Sequence, residues 1–312
     1  MTEPVISLAG VEKSYSFFKL TDLSLRLDAG QIMGLVGANG AGKSTTTRML
    51  MGMVRQDRGD IRVLGHAMPR EQAAAKRHVG FVSEDMRLHG SATLAWHMRF
   101  VASVYPDWDA SYAELLARRF TLHTGQTIKA MSHGERVKST LLLALAHRPR
   151  LLLLDEPTTG LDPVARHEVL AELMDVIRDE RRAILFSSHN TQDVEQISDV
   201  ITFLDRGRII DSCDKETFLE RWRRVHLDLS PQSGLLPIVP GAVETHVNGR
   251  SAVITTKAWS ADVHAACERA GAAIRDVQRM TLEEIFVANV MSTRPEHQQR
   301  EHHEQRQEIA KS

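Results

Sequence analysis

The stretch Gly37-Ala-Asn-Gly40-Ala-Gly42-Lys43-Ser44 constrains this chain more than any other. It fits the pattern G-x-x-x-x-G-K-[ST] in full, and its context fits too. A short aliphatic run, Ile32–Val36, precedes it and reads as a buried strand. From Thr45 onward Met49, Leu50 and Met53 recur on one face, as in a helix. Glycines let the backbone wrap inward and aim its N–H groups at phosphates. The following helix start adds the positive end of its dipole. Gly37, Asn39, Gly40, Ala41, Gly42, Lys43, Ser44 and Thr45 are therefore the candidate phosphate-binding residues. Lys43 has the reach for the outer phosphates, and the Ser44 hydroxyl is a candidate ligand for Mg2+. Alternating strand and helix patterns over about 150–211 suggest a parallel sheet.

A second stretch completes that chemistry. Leu-Leu-Leu-Leu-Asp155-Glu156-Pro reads as a strand buried on both faces that ends in two carboxylates. Ligands of open α/β sheets bind at the carboxyl ends of strands. Asp155 is there the candidate to hold Mg2+ opposite Ser44. Glu156 points differently and is the candidate general base for an attacking water.

With these two anchors in order, the chain resembles the ATP-binding subunits of ABC transporters over roughly residues 5–215. Further motifs carry the resemblance. Tyr15, in VEKSYSFFKL, matches the family's adenine-stacking aromatic, with Phe17 and Phe18 as alternatives. Asp162, in TTGLDP, matches the acid of the loop at the dimer seam. His189, in FSSHN, matches the switch histidine that meets the γ-phosphate. Met-Ser132-His-Gly134-Glu135 matches the family signature, written LSGGQ. By itself, Ser132 followed three residues later by Glu135 is an ordinary capping box for a helix over about 135–147. The resemblance gives the same geometry a second use. Ser132, the Gly134 N–H and the helix dipole cap an ATP held by the phosphate loop of another subunit. Two copies, or this chain and a paralogue, then bury two ATP molecules head to tail.

Two departures stand out. His133 replaces the first glycine of the signature and Glu135 its glutamine. Glu84, in HVGFVSEDMRLHG, fills the place of a glutamine that ligates Mg2+ and links to the membrane subunit; Asp85 is the alternative if the register slips by one. A carboxylate is a hard oxygen donor, so the expectation is a working but retuned metal site made by Ser44, Glu84 and Asp155.

The expected fold class is α/β: a P-loop ATPase core with an antiparallel β subdomain and an α-helical signature subdomain (about 86–148), plus a small C-terminal α+β appendage. The expected domains are 1–215 for the ATPase, 216–291 for the appendage, with its Asn248-Gly249 hairpin, and 292–312 for a polar, disordered tail containing His297, His302 and His303. The 312 residues carry a net charge of −1, which gives no reason to expect a nucleic-acid partner. There is no apolar run of membrane-spanning length, and two distant cysteines, Cys213 and Cys267, fit a reducing compartment. The resemblance implies an ATP-hydrolysing subunit on the cytoplasmic face of a membrane, using ATP and Mg2+ with Glu156, His189 and Lys43 as catalytic groups. It couples dimer closure to transport, in the export direction, by a separately encoded integral-membrane permease. The alternative is a non-transport ABC ATPase or a nucleotide-dependent regulator.

Overall fold

The computed structural model describes residues 3–230 and 236–293. The expected tail lies, from residue 294 on, outside them. The chain divides between Asp211 and Ser212 into two units, with the boundary expected at 215/216.

The first unit opens with an antiparallel hairpin, β1 (Ile6–Ser14) and β2 (Lys19–Leu27), whose apolar residues alternate toward the core. Strand β3 (Ile32–Val36) leads through the glycine loop into α1 (Lys43–Leu50). There follow β4 (Arg58–Val63), β5 (His66–Ala67), α2 (Gln72–Lys76) and β6 (Val79–Ser83). Three helices come next: α3 (Leu94–Val104), α4 (Ala110–Arg119) and α5 (His133–Leu145). The chain then returns through β7 (Leu151–Asp155), α6 (Pro163–Ile177), β8 (Ala183–Ser188), α7 (Thr191–Ile197), β9 (Val200–Asp205) and β10 (Arg208–Asp214).

These strands make two sheets, one ordered β2-β1-β4-β5 and one β10-β9-β3-β8-β7-β6. In the second, β3, β6, β7, β8 and β9 pair in parallel. Strands β3, β7 and β8 are buried along their whole length, as parallel strands covered on both faces must be. A single hydrophobic cluster joins the sheets, with Ile6, Leu25 and Ile61 from one and Met33, Leu153 and Leu185 from the other. All the loops at the carboxyl ends of β3, β7 and β8 therefore lie at one edge of the parallel sheet.

Each helix of the α3–α5 group starts at a side-chain cap, Thr93, Asp109 and Ser132 in turn. Helix α5 starts two residues earlier than the sequence suggested. Ser132 is the cap itself, so His133 and Gly134 belong to the first turn. The group is tied to α6 by buried Glu172, which accepts hydrogen bonds from Tyr112 Oη (3.0 Å) and Arg119 Nη1 (2.9 Å). Lys138 on α5 pairs with Glu168 on α6.

The second unit holds α8 (Lys215–Arg221), β11 (Arg223–Asp228), β12 (Ala242–Asn248), β13 (Ser251–Thr256), α9 (Ala261–Arg269), β14 (Ala273–Arg279) and α10 (Leu282–Ser292). Its antiparallel sheet runs β12-β13-β11-β14 over a small core of Val225, Leu227, Ile254, Val263 and Cys267. The turn from β12 to β13 passes through Asn248 and Gly249, the latter with φ of 59°.

Candidate active site

The loop after β3 folds tightly, and Gly37 and Gly42 leave no room there for side chains. A Cβ on Gly42, at φ 115°, would collide with Leu20 and meet the Phe18 ring at 3.0 Å. Ala38, Asn39 and Gly40 form the exposed crest, while Ala41 and Gly42 are buried beneath it. Lys43 opens α1 and turns back into the loop. Its Nζ donates to the carbonyl oxygens of Gly37 (2.6 Å) and Ala38 (3.3 Å). Ser44 and Thr45 follow in the first turn, partly accessible, whereas Thr46 and Thr47 are buried and bond back to the carbonyls of Gly42 and Lys43.

Strand pairing brings the other half of the site to this loop. Asp155 on β7 stands opposite Ser187 on β8, and Ser187 Oγ donates to Asp155 Oδ1 at 2.6 Å. That register sets Glu156 beside His189. Nδ1 of His189 lies 2.7 Å from Glu156 Oε2, and Thr159 Oγ1 donates to the same oxygen at 3.1 Å. Glu156 Oε1 forms an ion pair with Lys43 Nζ at 3.0 Å, although not aligned as a hydrogen bond. Lys43 and Glu156 are both buried there. The Glu156 backbone has φ of 55°, the left-handed region that a residue other than glycine occupies only when its surroundings hold it. Here those surroundings are the Ser187 carbonyl, the Thr159 hydroxyl, the His189 ring and the Lys43 ammonium.

The remaining candidates lie around this centre at different distances. Glu84 follows β6, and its N–H donates to the Asp155 carbonyl at 3.1 Å. Its carboxylate makes no hydrogen bond or ion pair among the described residues and borders a cavity of about 340 Å3 shared with Glu156, Thr159, His133 and Arg136. Asp85, the alternative, is engaged elsewhere by Arg48 at 2.6 Å. Ser132 and Glu135 form a full capping box: Glu135 N–H to Ser132 Oγ at 3.1 Å and Ser132 N–H to Glu135 Oε2 at 2.7 Å. The Ser132 N–H holds the Glu135 carboxyl below the usual range. Asp162 caps α6 by accepting from the N–H groups of Ala165 and Val164, which lower its pKa in the same way. Tyr15 stands half exposed near the tip of the first hairpin, its ring 6.5 Å from that of Phe18. It is Phe18, of the two, whose ring touches the glycine loop.

Three contributors escaped the sequence reading: Ser187, Thr159 and Asp193, the last of which holds the Thr158 hydroxyl at 2.7 Å. Ser187 carries a usable signal, because it is one of the two polar residues that end an apolar strand just before His189. The other two depend on how the loop after β7 folds.

Comparison with known proteins gives a consistent picture. The profile of the family described as ABC transporter matches residues 20–159. Among curated proteins, the daunorubicin resistance ATP-binding protein DrrA3 of Streptomyces coeruleorubidus is 33% identical over 304 residues, 92% of this chain and 96% of that one. The Nod factor export ATP-binding protein I of Rhizobium johnstonii is 36% identical over 211 residues, 66% of this chain and 68% of that one. A Bacillus subtilis ABC transporter ATP-binding protein, YhcH, is 34% identical over 196 residues, and the match spans 62% of this chain and 64% of the length of YhcH. Among solved structures, one described as the ATP binding subunit of an ABC transporter has a TM-score of 0.62 at 27% identity, covering 69% of this chain and 92% of that one.

Proposed function

The chain belongs to the family of ATP-binding subunits of ABC transporters, and from that premise we propose that it hydrolyses ATP to drive transport by a separate membrane permease, in the export direction. One observation carries the hydrolytic reading. The registers of β7 and of β3 against β8 bring Glu156, His189 and Lys43 into one cluster beside the glycine loop. Lys43 and the N–H groups of residues 40–45 bind and neutralise the phosphates. Glu156 orients and deprotonates the attacking water. His189, bound to Glu156 through Nδ1, leaves Nε2 for the γ-phosphate.

The residues suit Mg2+, which prefers hard oxygen donors and takes few of them from protein, with substrate phosphates and water filling the rest. Ser44 and Asp155 supply such donors, and among the described residues no ready-made cluster of three ligating side chains exists. When bound, the ion neutralises charge on the phosphates. Glu84 is the third donor in this reading, and Tyr15 or Phe18 the surface on which adenine stacks.

The capping box at Ser132 gives the second half of the reading. Ser132 and Gly134, with the seam acid Asp162, complete the site of a second copy of the chain, so that ATP joins two subunits. Export follows from the relatives, whose names concern Nod factor export and daunorubicin resistance. DrrA3 matches over nearly the whole chain. No helix among the described residues is long and apolar enough to cross a membrane; membrane attachment in this reading comes from the permease. Steady-state phosphate release tests the activity. Turnover that depends on Mg2+, falls at least about a hundredfold in Glu156→Gln and shifts its Mg2+ half-saturation in Glu84→Gln supports it. Turnover unchanged in Glu156→Gln rules it out.

A further inference from the structure

The residue that replaces the first glycine of the signature makes a contact that a glycine has no atoms to make. Nε2 of His133 lies 3.0 Å from the carbonyl oxygen of Thr159. A carbonyl only accepts, so Nε2 carries the proton. The ring also packs on the next residue: a Cβ on Gly160, at φ 71°, would stand 3.2 Å from Nε2. Thr159 then passes the contact on, since its hydroxyl donates to Oε2 of Glu156, the oxygen that also meets His189. Two hydrogen bonds thus connect the first turn of α5 with the carboxylate of Glu156, just past the end of β7.

We propose that His133 is a positioning residue for hydrolysis: it fixes the Thr159–Gly160 turn and thereby the side chain of Glu156. The proposal rests on Glu156 as the general base. Its consequence is specific to this chain. The helix start that caps the nucleotide of one site is tied, within the same subunit, to the base of the other. Glu156 keeps its left-handed backbone only through its surrounding contacts, so a slackened turn at Thr159 releases one of the few groups that orient its carboxylate. A role for His133 on the nucleotide itself, as a donor to the second subunit's phosphate, predicts a different kinetic signature.

Steady-state ATP hydrolysis by the full chain separates these ideas, using His133→Ala, His133→Gln, Thr159→Val and the His133→Ala/Thr159→Val pair, with melting curves as a check on folding. Each of the Ala and Val variants is expected to lower kcat on the order of tenfold, the scale of a lost outer-shell partner, with KM for ATP held within about twofold. The double variant is expected to be no slower than either single one, because both break the same chain of bonds. His133→Gln, whose amide still donates to the Thr159 carbonyl, is expected to recover most of the rate. Independent losses that multiply in the double variant overturn the proposal. So does a rise in KM at constant kcat, or no change in either. Glu156→Gln runs alongside: if it keeps its turnover, the reading of Glu156 fails and the proposal with it, whereas a dead Glu156→Gln beside an unaffected His133→Ala removes this proposal alone.

Discussion

Nζ of Lys43 lies 3.0 Å from Oε1 of Glu156, so the lysine of the phosphate loop and the carboxylate after β7 neutralise one another inside the site. Both are buried, and removing Lys43 takes from Glu156 its buried cation and leaves the carboxylate with Thr159 and His189 alone. Lys43→Ala is expected to lower folding stability by about 3 kcal/mol in urea titrations without nucleotide, besides abolishing ATP turnover. A stability change near zero would contradict this.

His189 reaches Glu156 through Nδ1 at 2.7 Å, which leaves Nε2 as its working atom. His189→Ala is expected to reduce kcat by about a hundredfold or more while KM for ATP moves little. His189→Gln, which can donate to phosphate but not exchange a proton, should lie between. Equal losses in kcat/KM and in nucleotide affinity would place His189 in binding rather than in turnover.

Helices α4 and α6 meet at a buried carboxylate. Glu172 accepts from Tyr112 and Arg119, and burial, then the nearby carboxylate, push the Tyr112 phenol above its usual pKa. Tyr112→Phe removes one donor and leaves an acceptor in the interior short of a partner. A loss of about 1–2 kcal/mol is expected from denaturant unfolding, with ATP affinity unchanged.

His147 supplies a pH dependence with a defined sign. The ring is buried against Tyr105, with centroids 4.1 Å apart, and burial lowers its pKa in the folded chain. The unfolded chain then takes up a proton first as pH falls through about 6.5. Stability is therefore unaffected by His147 above that pH and declines below it, until the folded form also protonates. Thermal unfolding from pH 7.5 to 5.5 should show a shallower decline in His147→Phe, which keeps the stack without the titration. Parallel curves for the two proteins would contradict this.

The phosphate loop and the Asp155-Glu156 strand end were legible because each is local: a strand, a turn and a helix start written in consecutive residues. The capping box at Ser132 was legible for the same reason, and its helix was misplaced by only two residues at the start. What was hidden depends on pairing between distant segments. The match of Asp155 with Ser187 decides that Glu156 meets His189, and no local pattern states that register. The left-handed backbone of Glu156 and the contact of His133 with Thr159 arise from the path of one loop, which no local pattern states. The ring that touches Gly42 is that of Phe18, three residues beyond Tyr15 across the hairpin turn, a contact that only the folded hairpin sets.

The central claim is that the helix start at Ser132 completes an ATP site in a second copy of this chain. Light scattering on purified Glu156→Gln, with and without ATP and Mg2+, tests it most directly, beside Glu156→Gln/Ser132→Arg whose folding is verified by its melting curve. The account predicts that ATP doubles the mass of the first protein and leaves the second monomeric. A monomer that binds ATP yet never doubles in mass, or a doubling that survives Ser132→Arg, would contradict it.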